Sequence, residues 1–132
     1  GNETGPQIGD IYEGGYIFQI NEDGTGLVAD LQDLGELNWD DAMDASASAT
    51  SQGYDDWYLP SIEELELMYN TIGNGGAEGN IGGFENDWYW SSSEFVNNSY
   101  FDIKWSVYFG GGGASDWTNM TNPLKIRIIR AF

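Results

Sequence analysis

The sequence predicts an α+β domain in which two helices pack on a twisted, mainly antiparallel sheet, joined by long loops rich in Gly and Asn. Three observations predict it. Two stretches, 39–51 and 61–72, carry apolar residues at helical spacing. Others alternate with the period of a strand, most clearly Ile103 to Phe109. Between them lie runs such as Gly73 to Gly83, with too much glycine to hold regular structure. At 132 residues the chain fits one domain, expected over 11–132 behind a linker at 1–10.

Taken in order, Gly1 to Asp10 is polar. Its Gly5-Pro6-Gln7 triplet reads either as the end of a collagen-like or linker segment or as part of an unstructured terminus. Ile11 to Ile20 alternates around Gly14-Gly15, which predicts a short strand, a turn and a longer strand, with Leu27-Val28-Ala29 returning as a hairpin. The loop from Asn21 to Gly26 has oxygen ligands at alternate positions, yet it lacks the length and closing Glu of an EF-hand loop and reads as a turn.

Asn38 can cap a helix whose first turn holds Asp40 and Asp41, favourable at the positive end of the helix dipole. Trp39, Ala42, Met43, Ser46 and Ala49 form its buried stripe. Asp40, Asp41 and Asp44 could also hold a cation, although the dipole and solubility account for them without one.

Pro60 stops any helix before it, and Ser61 followed by Glu64 is a capping box, so the second helix starts at Ser61. Ile62, Leu65, Met68, Tyr69 and Ile72 share one face. The run Tyr54, Trp57, Tyr58 and Leu59 is held against the entrance to that helix.

In the second half, Gly73 to Gly83 reads as a mobile surface loop, and Tyr89 to Ser92 as a strand that buries Trp90. Asn97 to Tyr100 reads as a turn. Ile103, Trp105, Val107 and Phe109 should then face the core, opposite Lys104, Ser106 and Tyr108. Gly110 to Gly113 ends that strand, and Ser115, Asp116, Trp117, Asn119 and Asn122 read as an exposed loop before Pro123. Leu124 to Phe132 reads as one closing strand.

Charge and composition narrow the function. Twenty-two acidic residues against four basic ones give a formal charge of −18, and all four bases (Lys104, Lys125, Arg127, Arg130) lie in the last quarter. Such a field repels phosphate, which excludes nucleic acid as a partner and disfavours anionic membranes. It favours cations, calcium among them, or else marks adaptation to a salty medium. No apolar run approaches the roughly 20 residues of a membrane span, so direct insertion is not expected. The chain opens on no signal peptide, as a mature or excised piece would.

With no Cys and no His, there are no disulfides, thiolate metal sites or Ser-His triads. Nothing in the sequence pairs two carboxylates for glycoside hydrolysis, and an enzyme is not expected. A carbohydrate site is the better expectation, because aromatic faces stack on sugar C–H groups while amides and carboxylates take the hydroxyls. The candidates are Trp88, Tyr100, Tyr108 and Trp117, beside Asn97, Asn98, Asp116 and Asn119. Trp90 and Trp105 are expected in the core.

Gly53-Tyr54-Asp55-Asp56-Trp57-Tyr58-Leu59-Pro60-Ser61, with Glu64-Leu65, resembles the Gly-Tyr-x-Asp-Trp-Arg-Leu-Pro-Thr-x-x-Glu-Leu signature of the Lcl C-terminal domain family. Trp39-Asp40-Asp41-Ala42, Tyr89-Trp90-Ser91-Ser92-Ser93-Glu94 and Arg127-Ile128-Ile129-Arg130 match its other blocks in order. Tyr58 stands where the signature has Arg. Relatives often carry Cys near the positions of Ser46 and Ile128, where this chain has none.

The resemblance implies a C-type-lectin-like fold, related to formylglycine-generating enzymes but without their cysteines, with a terminal strand pairing beside the first. It implies a secreted or cell-surface, bacterial-type adhesion domain that recognises a glycan or a cell surface, and assembly as a homotrimer like the collagen-like adhesins. Glu85, Asn86 and Asp87, beside Glu94 or Asp102, resemble in type the oxygen sets that C-type lectins place around Ca²⁺. The alternatives are a protein-binding variable domain of the diversity-generating-retroelement kind, which shares the Arg-x-x-Arg-x-Phe ending, and a structural assembly or cap domain.

Overall fold

The computed structural model describes residues 5–94 and 103–132. Along the chain run β1 (Ile11–Tyr12), β2 (Gly15–Ile20), β3 (Gly26–Asp30), β4 (Gly35–Leu37), α1 (Trp39–Ser48), α2 (Ile62–Ile72), β5 (Trp88–Glu94), β6 (Ile103–Tyr108), β7 (Ser115–Asn119), β8 (Leu124–Ile126) and β9 (Ile129–Ala131). The fold is α+β, as expected, but it has two sheets rather than one. The first is ordered β1-β2-β3-β9 and the second β4-β8-β5-β6-β7. Every pairing is antiparallel except that of β5 with β8.

The local signals act where they were read. Glu13 and Gly14 take φ of 48° and 97°, so the chain reverses between Tyr12 and its partner Gly15. A Cβ at Gly15 would collide with the Ala29 carbonyl, so glycine is what lets β2 and β3 approach. In the loop that follows, Asp23 Oδ1 accepts from the Thr25 N–H at 3.0 Å and from its hydroxyl at 2.6 Å. The loop's oxygens thus serve its own turn.

Asn38 caps α1, its Oδ1 accepting the Asp41 N–H at 2.9 Å. That helix stops at Ser48, short of the expected 51, and a 3₁₀ turn with Gln52 at φ 57° reverses the chain. The capping box of α2 is reciprocal: Glu64 N–H to Ser61 Oγ is 3.1 Å and Ser61 N–H to Glu64 Oε1 is 2.9 Å. Leu65, Met68, Tyr69 and Ile72 are buried as the spacing requires.

The helices sit on opposite faces of the five-stranded sheet. The main core joins α2 to Phe18 and Leu27 of the first sheet and to Tyr89, Val107 and Phe109 near the second. A smaller core joins Ala42 of α1 to Leu59, Trp90 and Ile126.

Gly35–Leu37, three residues too few to show alternation, pairs with β8. Three expectations are corrected. Ser115 to Asn119 is an edge strand paired with β6, because partner hydrogen bonds override the weak strand preference of Ser, Asp and Asn. On β6, Lys104 and Ser106 are buried at 3% and 0% exposure while Ile103 and Trp105 are half-buried. The polar face can be covered because Lys104 Nζ lies 2.8 Å from Glu94 and 4.6 Å from the Trp39 ring, and Ser106 Oγ meets Thr118 Oγ1 at 2.8 Å.

The third concerns the chain end, which breaks at Arg127-Ile128 so that β8 joins one sheet and β9 the other. All of Ile126 to Arg130 is buried, the mark of a segment passing between two layers. β9 pairs with β3 rather than with the first strand, yet the ends still meet, with the Tyr12 and Phe132 rings 5.0 Å apart.

Candidate ligand-binding surface

Trp117 is the central residue of edge strand β7 and is 46% exposed. Its cross-strand partner is Trp105, and the two rings meet edge to face, 5.2 Å apart at 64°. Ile103 and Asn119 are the next pair on the same face. Asp116 is exposed and its Oδ1 accepts the N–H of Trp117 at 2.7 Å. Asn119 Oδ1 takes the Thr121 N–H at 2.9 Å and hydroxyl at 2.7 Å, which fixes the amide at the strand's end.

Trp88 and Tyr108 also form a cross-strand pair, 5.3 Å apart. Tyr108 lies three residues from Trp105 on a continuous strand, so this second pair points to the other face. The expected aromatic cluster therefore divides. Trp105, assigned to the core by its alternation, belongs with Trp117 on the outside. Asn97, Asn98, Tyr100 and Asp102 lie outside the described residues.

Among the described residues expected to share calcium, Glu94 lies apart from Glu85, Asn86 and Asp87. Glu85 and Asn86 are exposed, and Asp87 Oδ1 accepts the Trp88 N–H at 2.8 Å. Glu94 is at the far end of β5, roughly 20 Å away at the rise of a strand, and is paired with Lys104 at 2.8 Å. No group of three or more acidic side chains poised for a metal occurs among the described residues.

The four cations have structural positions. Arg127 is 2% exposed; its Nε meets Asp33 Oδ1 at 2.9 Å, and its Nη1 donates to the carbonyls of Asp30 at 3.0 Å and Gly82 at 2.7 Å. It also lies 4.3 Å above the Phe84 ring. This contact ties the glycine-rich loop, expected to be mobile, to the chain end. Tyr89 donates to the other oxygen of Asp33, and burial, reinforced by Asp33, pushes its hydroxyl well above the ordinary tyrosine value.

Arg130 forks onto Asp56 at 2.6 and 3.1 Å and stacks 3.7 Å above Tyr54. Lys104 pairs with Glu94 and, more loosely, Lys125 with Glu36 at 3.4 Å. With each base already facing a carboxylate, the protein presents an acidic exterior.

A cleft that sequence reasoning missed opens between α1 and the bend before α2. It has a volume of about 390 Å³ and is walled by Met43, Ala47, Trp57 and Leu59, with the Ser46 and Ser92 hydroxyls and Tyr58 at its polar points. Backbone bonds in both directions between Tyr58 and Ile129, each 2.9 Å, hold this wall in place. Tyr58 is 38% exposed, and burial, followed by the charge of Glu64, raises its hydroxyl above the ordinary value. The available signal was Tyr58 itself, an aromatic where the signature carries Arg.

A family model described as the Lcl C-terminal domain matches residues 19–130. No curated protein matches the chain.

Proposed function

Because the chain belongs to the Lcl C-terminal domain family, we propose that it is a non-enzymatic recognition domain, displayed outside the cell, that binds carbohydrate or a neutral cell-surface ligand through the Trp105–Trp117 face. The observation that carries this reading is a tryptophan 46% exposed at the centre of an edge strand and braced by a second tryptophan. Such a ring offers a flat, rigid stacking surface at little entropic cost on binding. The acidic exterior selects against sulfated and other polyanionic glycans, whose approach would be repelled.

The same reading takes the fold as C-type-lectin-like, with two helices on mainly antiparallel strands and chain ends brought together. It includes assembly as a homotrimer on a larger surface protein. Calcium enters it at Glu85, Asn86 and Asp87, the part of the expected set that is contiguous.

A glycan array run in millimolar calcium and in chelator tests the proposal. Neutral glycans should be retained by the wild type, lost in Trp117→Ala and kept in Trp88→Phe on the opposite face. Calcium dependence, where present, should disappear in Asp87→Asn. Retention that survives Trp117→Ala, or no glycan retained in either buffer, overturns the reading.

A further inference from the structure

We infer that the cleft between α1 and the Trp57-Tyr58-Leu59 segment is a second binding site, for a small ammonium cation carrying apolar groups. At about 390 Å³ it falls within the roughly 300 to 1,000 Å³ of small-molecule sites. What it offers a guest follows from its hydrogen bonds.

Three of the four side-chain donors in the wall are already engaged. Ser46 Oγ donates to the Ala42 carbonyl at 2.7 Å, Ser92 Oγ to the Pro60 carbonyl at 3.3 Å, and Trp57 Nε1 to the Ser51 carbonyl at 2.9 Å. Burial and the nearby Glu64 charge hold the proton on the Tyr58 hydroxyl. The wall therefore offers a guest chiefly apolar and aromatic surface, from Met43, Ala47, Trp57, Tyr58 and Leu59, with the Tyr58 hydroxyl as the donor left over.

Charge selects further. Glu64 and Asp56 both act on Tyr58 at the rim, and Asp40, Asp41 and Asp44 follow one another on α1. A formal charge of −18, with all four bases in ion pairs, concentrates cations at any concave part of this surface. A methylated ammonium meets all three conditions: it needs no donor, its methyl groups fill apolar space, and its charge is attracted to the faces of Trp and Tyr. The protein's own cations use this contact three times, at Trp39, Phe84 and Tyr54.

Choline and its uncharged isostere 3,3-dimethylbutanol, titrated separately into the ¹⁵N-labelled protein, provide the test. Choline should shift the Trp57 indole N–H resonance saturably, and the alcohol should bind at least about tenfold more weakly, about 1.4 kcal/mol. Ala47→Trp, at an exposed position on the rim, should fill the cleft and abolish the shift while leaving the urea midpoint unchanged. Tyr58→Leu should weaken choline several-fold and the alcohol little. Equal binding of the two compounds, an unmoved Trp57 resonance, or choline binding that persists in Ala47→Trp would overturn the assignment. None of these results depends on the Trp117 face.

Discussion

Replacing Arg127 by Met keeps the stem and removes the guanidinium. Arg127 Nη1 alone satisfies the carbonyls of Asp30 and Gly82, at 3.0 and 2.7 Å, and Nε faces Asp33 at 2.9 Å. Each stranded carbonyl costs about 1–3 kcal/mol. Asp33 is 21% exposed as a side chain and recovers part of its hydration, so it adds less. The sum is about 4 kcal/mol, consistent with the 3–5 kcal/mol typical of breaking a buried pair from one side. With a urea slope of about 2 kcal/mol per molar, the midpoint should fall by about 2 M, followed by tryptophan fluorescence. A double-mutant cycle with Asp33→Asn should show coupling, since the two losses share one contact. A loss under about 1 kcal/mol would refute the claim that the terminal arginine belongs to the interior, and would return it to the pool of charges available to polyanions.

Three further outcomes follow from the same structure. Ser61→Ala removes one half of the reciprocal cap on α2 and should cost about 1 kcal/mol in urea unfolding. Asp56 is held below its ordinary 3.8 by the hydrogen bond from Arg130, against a smaller opposing effect of burial. A depressed carboxyl stabilises the fold above its unfolded value, so the advantage of wild type over Asp56→Asn should be constant from about pH 7 to 5 and vanish as the carboxyl protonates in more acid solution. Trp117→Ala, at a half-exposed position, should cost no more than about 1.5 kcal/mol, so calorimetry can separate a binding defect from unfolding.

What the sequence disclosed was local. The capping box of α2, the Asn38 cap and the β2–β3 hairpin depend on residues within a few positions of one another, and each forms where expected. Apart from the early end of α1, the misses depend on distant partners. Ser115 to Asn119 is a strand because β6 is beside it, and Lys104 is buried because Glu94 and the Trp39 ring receive its charge. Arg130 meets Asp56 across 74 residues of chain, a pairing that no spacing rule encodes. At the candidate site, the exposure of Trp117 was legible from its Gly, Ser and Asn neighbours, but the strand that braces it was not. The cleft stayed hidden because its two walls come together only through the core that Ala42 of α1 shares with Leu59 and Trp90.

The self-contact of Asp116 has a consequence for how copies of the domain meet when they are crowded. An open sheet border usually templates the next molecule, which is the first step toward fibres. Here the Trp117 amide meets a carboxylate from its own neighbour, so an incoming chain is offered negative charge where it would seek a proton. Copies brought close together therefore meet an aromatic ring and a carboxylate at this position rather than an open amide.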